Sequence, residues 1–522
     1  MISEVTIKLV GDDIPTFTPI GATVHYGINR IPTATVQLDP SANELLCDFD
    51  AVRRSPATLT IETTNGCLYF DGLVDGLSFS QSPGGLSANL VLKHPMQLLA
   101  EVYPRLVGVH PASANVFDSG SLLNIDYNKV NGDTMMRTLA LYGTNLSFDQ
   151  NPIDFIVALM TAAVEIQTVI PVTANNPTNT TVGLDRAIAE SEMVKKQLTT
   201  KVLDLLKSID TSAVAGMKIS AASKGSVDMT LETIAMMRDT VFDNLVRMLA
   251  DYGCCLIIGS RKAYVVPEAS FLRVPKIPAV RRKQRSDVVN VIYPAEYQSF
   301  TFNDNGFVNI KGVYVMHNPN TQGIAGVGPA NNIDLGIYID DSASGNILTT
   351  TVPQYISYGV VYAAALNGNM HQRIQKQDSV FTSKMVVKDM ESAVEQSWTA
   401  ALDVESRTTY MNQWAQMEYC RMKYDDRTGN ISSVFNNNFA PGCVGTLYTR
   451  TPGAWLDYFV TDVTHSFVIN PPSTGQAVTS INFKSGRMGA TADVGLDFLD
   501  LYSYGYSQAA EFGNKFLDDI AT

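Results

Sequence analysis

Charge is what this sequence has least of. Only 17% of its 522 residues are Asp, Glu, Lys or Arg, below the quarter usual in globular chains. Cations are the scarcer sign, 38 Lys and Arg against 51 Asp and Glu, for a net charge of −13. Binding nucleic acid by neutralising phosphates needs a basic footprint, so the deficit argues against that class. Cysteine is also sparse: Cys47, Cys67, Cys254, Cys255, Cys420 and Cys443, with no CxxC pair. Such usage in a long chain reads as thiols kept reduced, with no disulfide framework.

Several catalytic signatures are missing. There is no Gly-Lys dipeptide, which removes a Walker-type phosphate loop, and no GxSxG elbow for a hydrolase serine. The six histidines (His25, His94, His110, His317, His371, His465) contain no i, i+4 pair of the kind a helical zinc site uses. The start, "MISEVTIKLV", lacks the basic and apolar regions of a signal peptide. The most apolar long window, residues 153–172, is interrupted by Asp154, Glu165 and Gln167, and reads as a buried helix and not a bilayer span. The many acids leave a paired-carboxylate cell-wall hydrolase open as an alternative of another class.

What is present is ample apolar material, 45% of the chain, enough for two to four domains. Residues 1–107 read as antiparallel β. In "VHYGINRIPTATVQLDP" a strand breaks at Gly27 and resumes with Ala34, Val36 and Leu38 on one face and Thr33, Thr35 and Gln37 on the other. Leu59 and Ile61 share a face, Asn65-Gly66 signals a hairpin, and Ala88, Leu90 and Leu92 alternate after a Pro83-Gly84-Gly85 turn.

Residues 108–280 read as a helical, mixed insertion. Its sharpest element, "TVFDNLVRMLADYG", spaces Phe242, Leu245, Val246 and Leu249 at helical intervals behind a Thr240/Asp243 cap and ahead of Gly253; the hairpin "CCLIIGSRKAYVVP" follows. Residues 281–488 return to β around an irregular loop region after residue 317 and a Pro- and Gly-free stretch, 384–424, that predicts one long helix. The tail, 489–522, is dense in aromatics: Phe498, Tyr502, Tyr504, Tyr506, Phe512 and Phe516. It suits packing either on the chain's own body or on a neighbouring subunit.

Three stretches, in order, resemble the baseplate hub proteins of contractile phage tails, which are related to the N-terminal part of type VI secretion spike proteins. They are "GINRIPTATVQL", "CLYFDGLVDGLSFSQSPGGLSANLVLKHPMQLL", and "FAPGCVGTLY" followed by "YFVTDVTHSFVINPPSTGQAVTSINF". The motif positions are Gly27, Ile31 and Pro32 in the first, Gly72 in the second, and Pro441, Gly442 and His465 in the third. His465 lies between Val463 and Phe467 in an alternating strand and reads as packing, not catalysis.

The resemblance implies an α+β fold with two tail-tube-like antiparallel β-barrels and helical insertions, the strand pair at 24–40 forming the first barrel's edge. It implies a homotrimeric structural hub, without cofactor, metal or catalytic residue, that adapts the sixfold tail tube to the threefold central spike. Its expected partners are the spike protein, the tail tube protein, the tape-measure protein in the lumen and baseplate wedge proteins. No specific nucleic-acid binding and no stable membrane insertion are expected. The expected location is the virion tail baseplate, assembled in the host bacterial cytoplasm; the related alternative is the hub of a type VI or phage-derived injection particle.

Overall fold

The computed structural model describes residues 4–11, 14, 19–39, 49–82, 85–102, 145–147, 153, 154, 156, 157, 160, 161, 164, 201–215, 226–228, 240–251, 254–267, 290–304, 310–317, 334–339, 384–389, 427–451, 454–470, 474–488 and 515–521. Six strands come early: β1 (Val5–Val10), β2 (Pro19–Gly27), β3 (Thr33–Leu38), β4 (Pro56–Thr63), β5 (Gly66–Ser82) and β6 (Gly85–Lys93), with the short helix α1 (Phe49–Val52) before β4. The middle carries β7 (Asn145–Ser147), α2 (201–207), β8 (Ser226–Asp228), α3 (Val241–Asp251) and the hairpin β9 (Cys254–Ile258) and β10 (Ala263–Pro267). There follow β11 (Asn290–Ile292), β12 (Tyr297–Asp304), β13 (Ile310–His317), β14 (Asp334–Ile339), β15 (Lys384–Asp389), β16 (Arg427–Val434), β17 (Val444–Tyr448), β18 (Trp455–Asn470), β19 (Thr474–Met488) and a closing helix, α4 (515–521).

Local chemistry accounts for many of these elements. Ala34, Val36 and Leu38 of β3 are buried while Thr33, Thr35 and Gln37 are half-buried, because successive strand residues face opposite ways. The β4–β5 hairpin closes with Thr63 opposite Gly66, whose φ of +141° only glycine adopts without strain. At the start of α3 the Thr240 hydroxyl donates to Asp243 Oδ2 at 2.7 Å and accepts from the Asp243 N–H at 3.2 Å, so the predicted cap forms. Ile153, Ile156, Met160 and Val164 lie buried on helical residues of the window read as a buried helix; residues 165–172 lie outside the described part.

Among the described residues the expected pair of barrels does not form. One 12-stranded sheet runs β1-β4-β5-β6-β3-β2-β18-β19-β16-β12, with β17 on β18 and β11 on β17, and among the described residues no ladder joins β12 back to β1. The strand pair at 24–40 is therefore interior and not a barrel's edge: β2 lies between β3 and β18. Alternation decides which face of a strand is buried, but it does not choose the strand on each edge, so it could not distinguish closure from continuation. Two further expectations change. Residues 384–389, the start of the predicted long helix, form β15 parallel to β13, and β14 lies in the stretch read as irregular. The run "MVV" in β15 favours an extended chain, a local preference that the lack of Pro and Gly does not override. The rest of the predicted helix, 390–424, lies outside the described residues.

β18 makes the continuation possible through its length. On one edge its first residues pair with β17 (Trp455 opposite Tyr448 to Phe459 opposite Val444), and its later ones pair with β2 (Asp462 opposite Gly27 to Val468 opposite Gly21). Irregularities in its ladder with β19, between Asp457 and Phe459 and between Val460 and Asp462, mark the change of partner.

Candidate functional site at the seam of the sheet

The β2–β18 seam joins residues more than 400 positions apart, and its buried face is aromatic. Tyr26 and Val24 pair with Val463 and His465. Around them, Phe435 stands 4.8 Å from Phe467 and 5.3 Å from His465 between ring centroids, and Tyr26 meets Phe516 of α4 edge-on at 5.7 Å. His465 is fully buried, with Nδ1 2.9 Å from the Thr479 hydroxyl and Nε2 without a hydrogen-bond partner. An orphaned N–H costs more than an orphaned lone pair, so the favoured tautomer carries its proton on Nδ1. Burial lowers its pKa from 6.5 to about 3, leaving a neutral ring.

At the end of β2 the chain turns through residues that hold it to β18 and β9. Ile28 N–H donates to Thr461 O at 2.9 Å and Asn29 N–H to Leu256 O at 2.7 Å, while Asn29 Oδ1 accepts from Leu256 N–H at 2.8 Å. Asn29 has φ +54°, a left-handed conformation that asparagine tolerates well. Opposite Gly27, Asp462 receives Arg30 at 3.1 Å and His25 at 3.4 Å. Burial pushes the Asp462 carboxyl up, but hydrogen bonds from His25 and Thr461 and the charge of Arg30 outweigh it and hold the group below its usual range. A Cβ at Gly27 would lie 2.6 Å from Asp462 Oδ1, so the glycine makes room for that carboxylate.

A second junction forms at the β9–β10 turn, Gly259–Lys262. His94 caps the 3-10 helix Pro95–Ala100: its Nδ1 accepts from Met96 N–H at 3.1 Å, which leaves Nε2–H to donate to Ser260 O at 3.0 Å. Its folded pKa drops to about 4 through burial, against the pull of the Ser260 carbonyl and Asp71. Asp71 N–H donates to Ser260 Oγ at 3.3 Å, and Arg261 Nε lies 3.3 Å from Asp71 Oδ2. From the other end of the chain, Asp519 of α4 accepts Arg261 N–H at 3.1–3.2 Å and Lys262 N–H at 3.3 Å. Burial raises the Asp519 pKa although these backbone bonds favour the charged form.

The sequence-derived positions distribute over this framework. Gly27 and His465 meet at the seam, and Ile31 packs partly buried against the main core. Pro32 is buried, its carbonyl accepting His94 N–H at 3.1 Å. Gly72 lies opposite Ala57 in the β4–β5 ladder, where a Cβ would stand 2.8 Å from Phe70 and 3.1 Å from Leu92. Pro441 and Gly442 are buried beside β18; Gly442 has φ +73° and donates to Val460 O at 2.8 Å, and a Cβ there would collide with Ile257 of β9. Sequence reasoning missed His94, Asn29, Ser260 and Asp519. Only Asn29, an asparagine in a turn, carried a local signal.

The arrangement braces segments together and assembles no nucleophile with a base. His94 and His465 are neutral, and the Cys443 thiol is pushed far up by burial. No disulfide forms among the described cysteines Cys67, Cys254, Cys255 and Cys443. Among the described residues no group of three or more His, Cys, Asp or Glu could hold a metal ion, and no helix is long and apolar enough to cross a membrane.

No family model matches the chain, and no curated protein does. Among solved structures it is similar to a tail protein from Neisseria meningitidis, at 8% identity and a TM-score of 0.41, over 92% of this chain and 96% of that one. It is also similar to a prophage tail protein from Shewanella oneidensis, at 7% identity and a TM-score of 0.40, over 92% and 98%. A component of the E. coli type VI secretion system matches at 7% identity and a TM-score of 0.34, over 92% and 76%. These matches are long and loose.

Proposed function

We propose that the chain is a structural, non-catalytic subunit of the hub in a contractile phage tail baseplate. In this reading it is a homotrimer that joins the tail tube to the central spike and lines part of the DNA-ejection channel, touching the tape-measure protein inside and wedge proteins outside. The observation that supports it most is where the three hub-like stretches lie. Though hundreds of residues apart in sequence, they share one ladder, β5-β6-β3-β2-β18-β19, with β17 on the same edge of β18 as β2.

The sheet is also evenly divided, six strands from residues 5–93 and six from 290–488. Three copies would present six half-sheets, which suits a part standing between sixfold and threefold neighbours. The net charge of −13 suits a channel that DNA must traverse without sticking. Single-particle electron microscopy of the chain co-expressed with the spike encoded beside it tests the proposal. Threefold rings with a central channel are expected; monomers that bind no spike would overturn it.

A further inference from the structure

The closing helix α4 follows the last strand of the sheet by 26 residues, 489–514, and its contacts have the character of a ligand in a receptor. Phe516 and Ile520, one helical turn apart, are fully buried, Phe516 in a T-shaped contact with Tyr26. Between them Asp519 directs its carboxylate at the N–H groups of the β9–β10 turn. Tyr264 OH donates to Lys515 O at 3.4 Å, and Lys515 Nζ reaches Ser212 Oγ at 3.3 Å. The receptor side is shaped for this carboxylate: a Cβ at Gly259 would collide with Asp519 Oδ2. An aromatic and an aliphatic anchor flanking an acid that meets backbone donors is a helix-in-groove recognition pattern.

We propose that the groove formed by Tyr26, Tyr264 and the Gly259–Lys262 turn is a binding site for a short helix of pattern Phe-x-x-Asp-Ile. In the isolated chain its own tail fills the site, and the same tail of a second copy can replace it. A second copy is the one partner certain to carry this signature. Extended, 26 residues reach roughly 90 Å, enough to serve a neighbouring subunit. The site does not depend on the tail-hub reading, and its test needs no spike.

The test uses full-length chain and a fluorescent peptide of residues 512–522, read by anisotropy. A Phe516→Ala/Ile520→Ala chain, whose own helix no longer fills the groove, is expected to bind the peptide at least tenfold more tightly than the wild-type chain. An Asp519→Asn peptide is expected to bind that chain about tenfold more weakly, and adding Gly259→Ala on the groove side should abolish binding. A doubly substituted chain that keeps its thermal transition and binds no peptide would overturn the proposal. Hydrogen exchange of the wild-type chain decides the matter if that variant fails to fold. Amides of 515–521 opening faster than those of β2 and β18 support a separable ligand, and exchange only with global unfolding would sink it.

Discussion

His465 and His94 are the residues through which pH should act on this fold. The unfolded chain takes up both protons near pH 6.5, whereas in the folded chain these sites bind them only near pH 3 and pH 4. Between those limits the unfolded state holds more protons, so stability is complete above about pH 7 and falls as pH drops. Two protons give a slope of roughly 2.7 kcal/mol per pH unit in the steep part of the window. Urea unfolding from pH 7 to 5 should show this loss, and His465→Gln should remove about half of it. Gly27→Ala, which drives a methyl toward the Asp462 carboxylate, should cost ~1–3 kcal/mol as an overpacked site. A thermal melt unchanged by that substitution would refute the close approach. His465 was legible in the sequence as a packing residue because it alternates with apolar neighbours. His94 was not: beyond its local cap on Met96 N–H, the partners that bury it are a carbonyl from residue 260 and one from residue 32.

Elements differ in how local their causes are. Helix α3 is set within a dozen residues: Thr240→Ala removes a cap formed inside its first turn and should cost ~1 kcal/mol, readable in denaturant midpoints. β18 is a different case. Its alternation was plain, yet its function as the strand that joins β17, β19 and β2 depends on its length and on the irregularities that re-aim it. Phe467→Ala in the seam should cost ~3–5 kcal/mol and lower the unfolding transition as a whole, because Phe467 pairs with Ala22 of the early half and packs on Phe435 of the later half within one core. Two separate transitions, with only one displaced, would mean that the halves unfold independently. The start of the predicted long helix failed for a mixed reason: the missing helix breakers masked the extended preference of "MVV", and β13 offered that run a strand edge.

At the scale of the whole molecule, sheet continuity replaces the expected pair of closed barrels. The cores fit this arrangement. The larger one takes residues from the early strands, α3, the β9–β10 hairpin and α4, while a smaller one gathers Ile292, Ile431, Leu456, Tyr458, Ile481 and Phe483 from the later strands. The acidic balance is a whole-chain property and carries its own prediction. At physiological salt the purified chain should leave duplex DNA unshifted in a gel at micromolar concentration, and a salt-sensitive shift would contradict the channel-wall reading. Of the aromatic tail, only Phe516 among the six named residues lies in the described part, and it packs on the chain's own body.

The sequence by itself determined the β alternation of the early strands, the cap and apolar face of α3, the β9–β10 hairpin and the low, acidic charge. Each depends on neighbours a few residues apart or on simple totals. Only the tertiary structure decided that β2 meets β18, that His94, Asp71 and Asp519 converge on one turn, and that the sheet runs on instead of closing into two barrels. Strand edges present the same N–H and C=O groups whatever their side chains. Partner choice is therefore made by packing summed over the whole core, which no local pattern encodes.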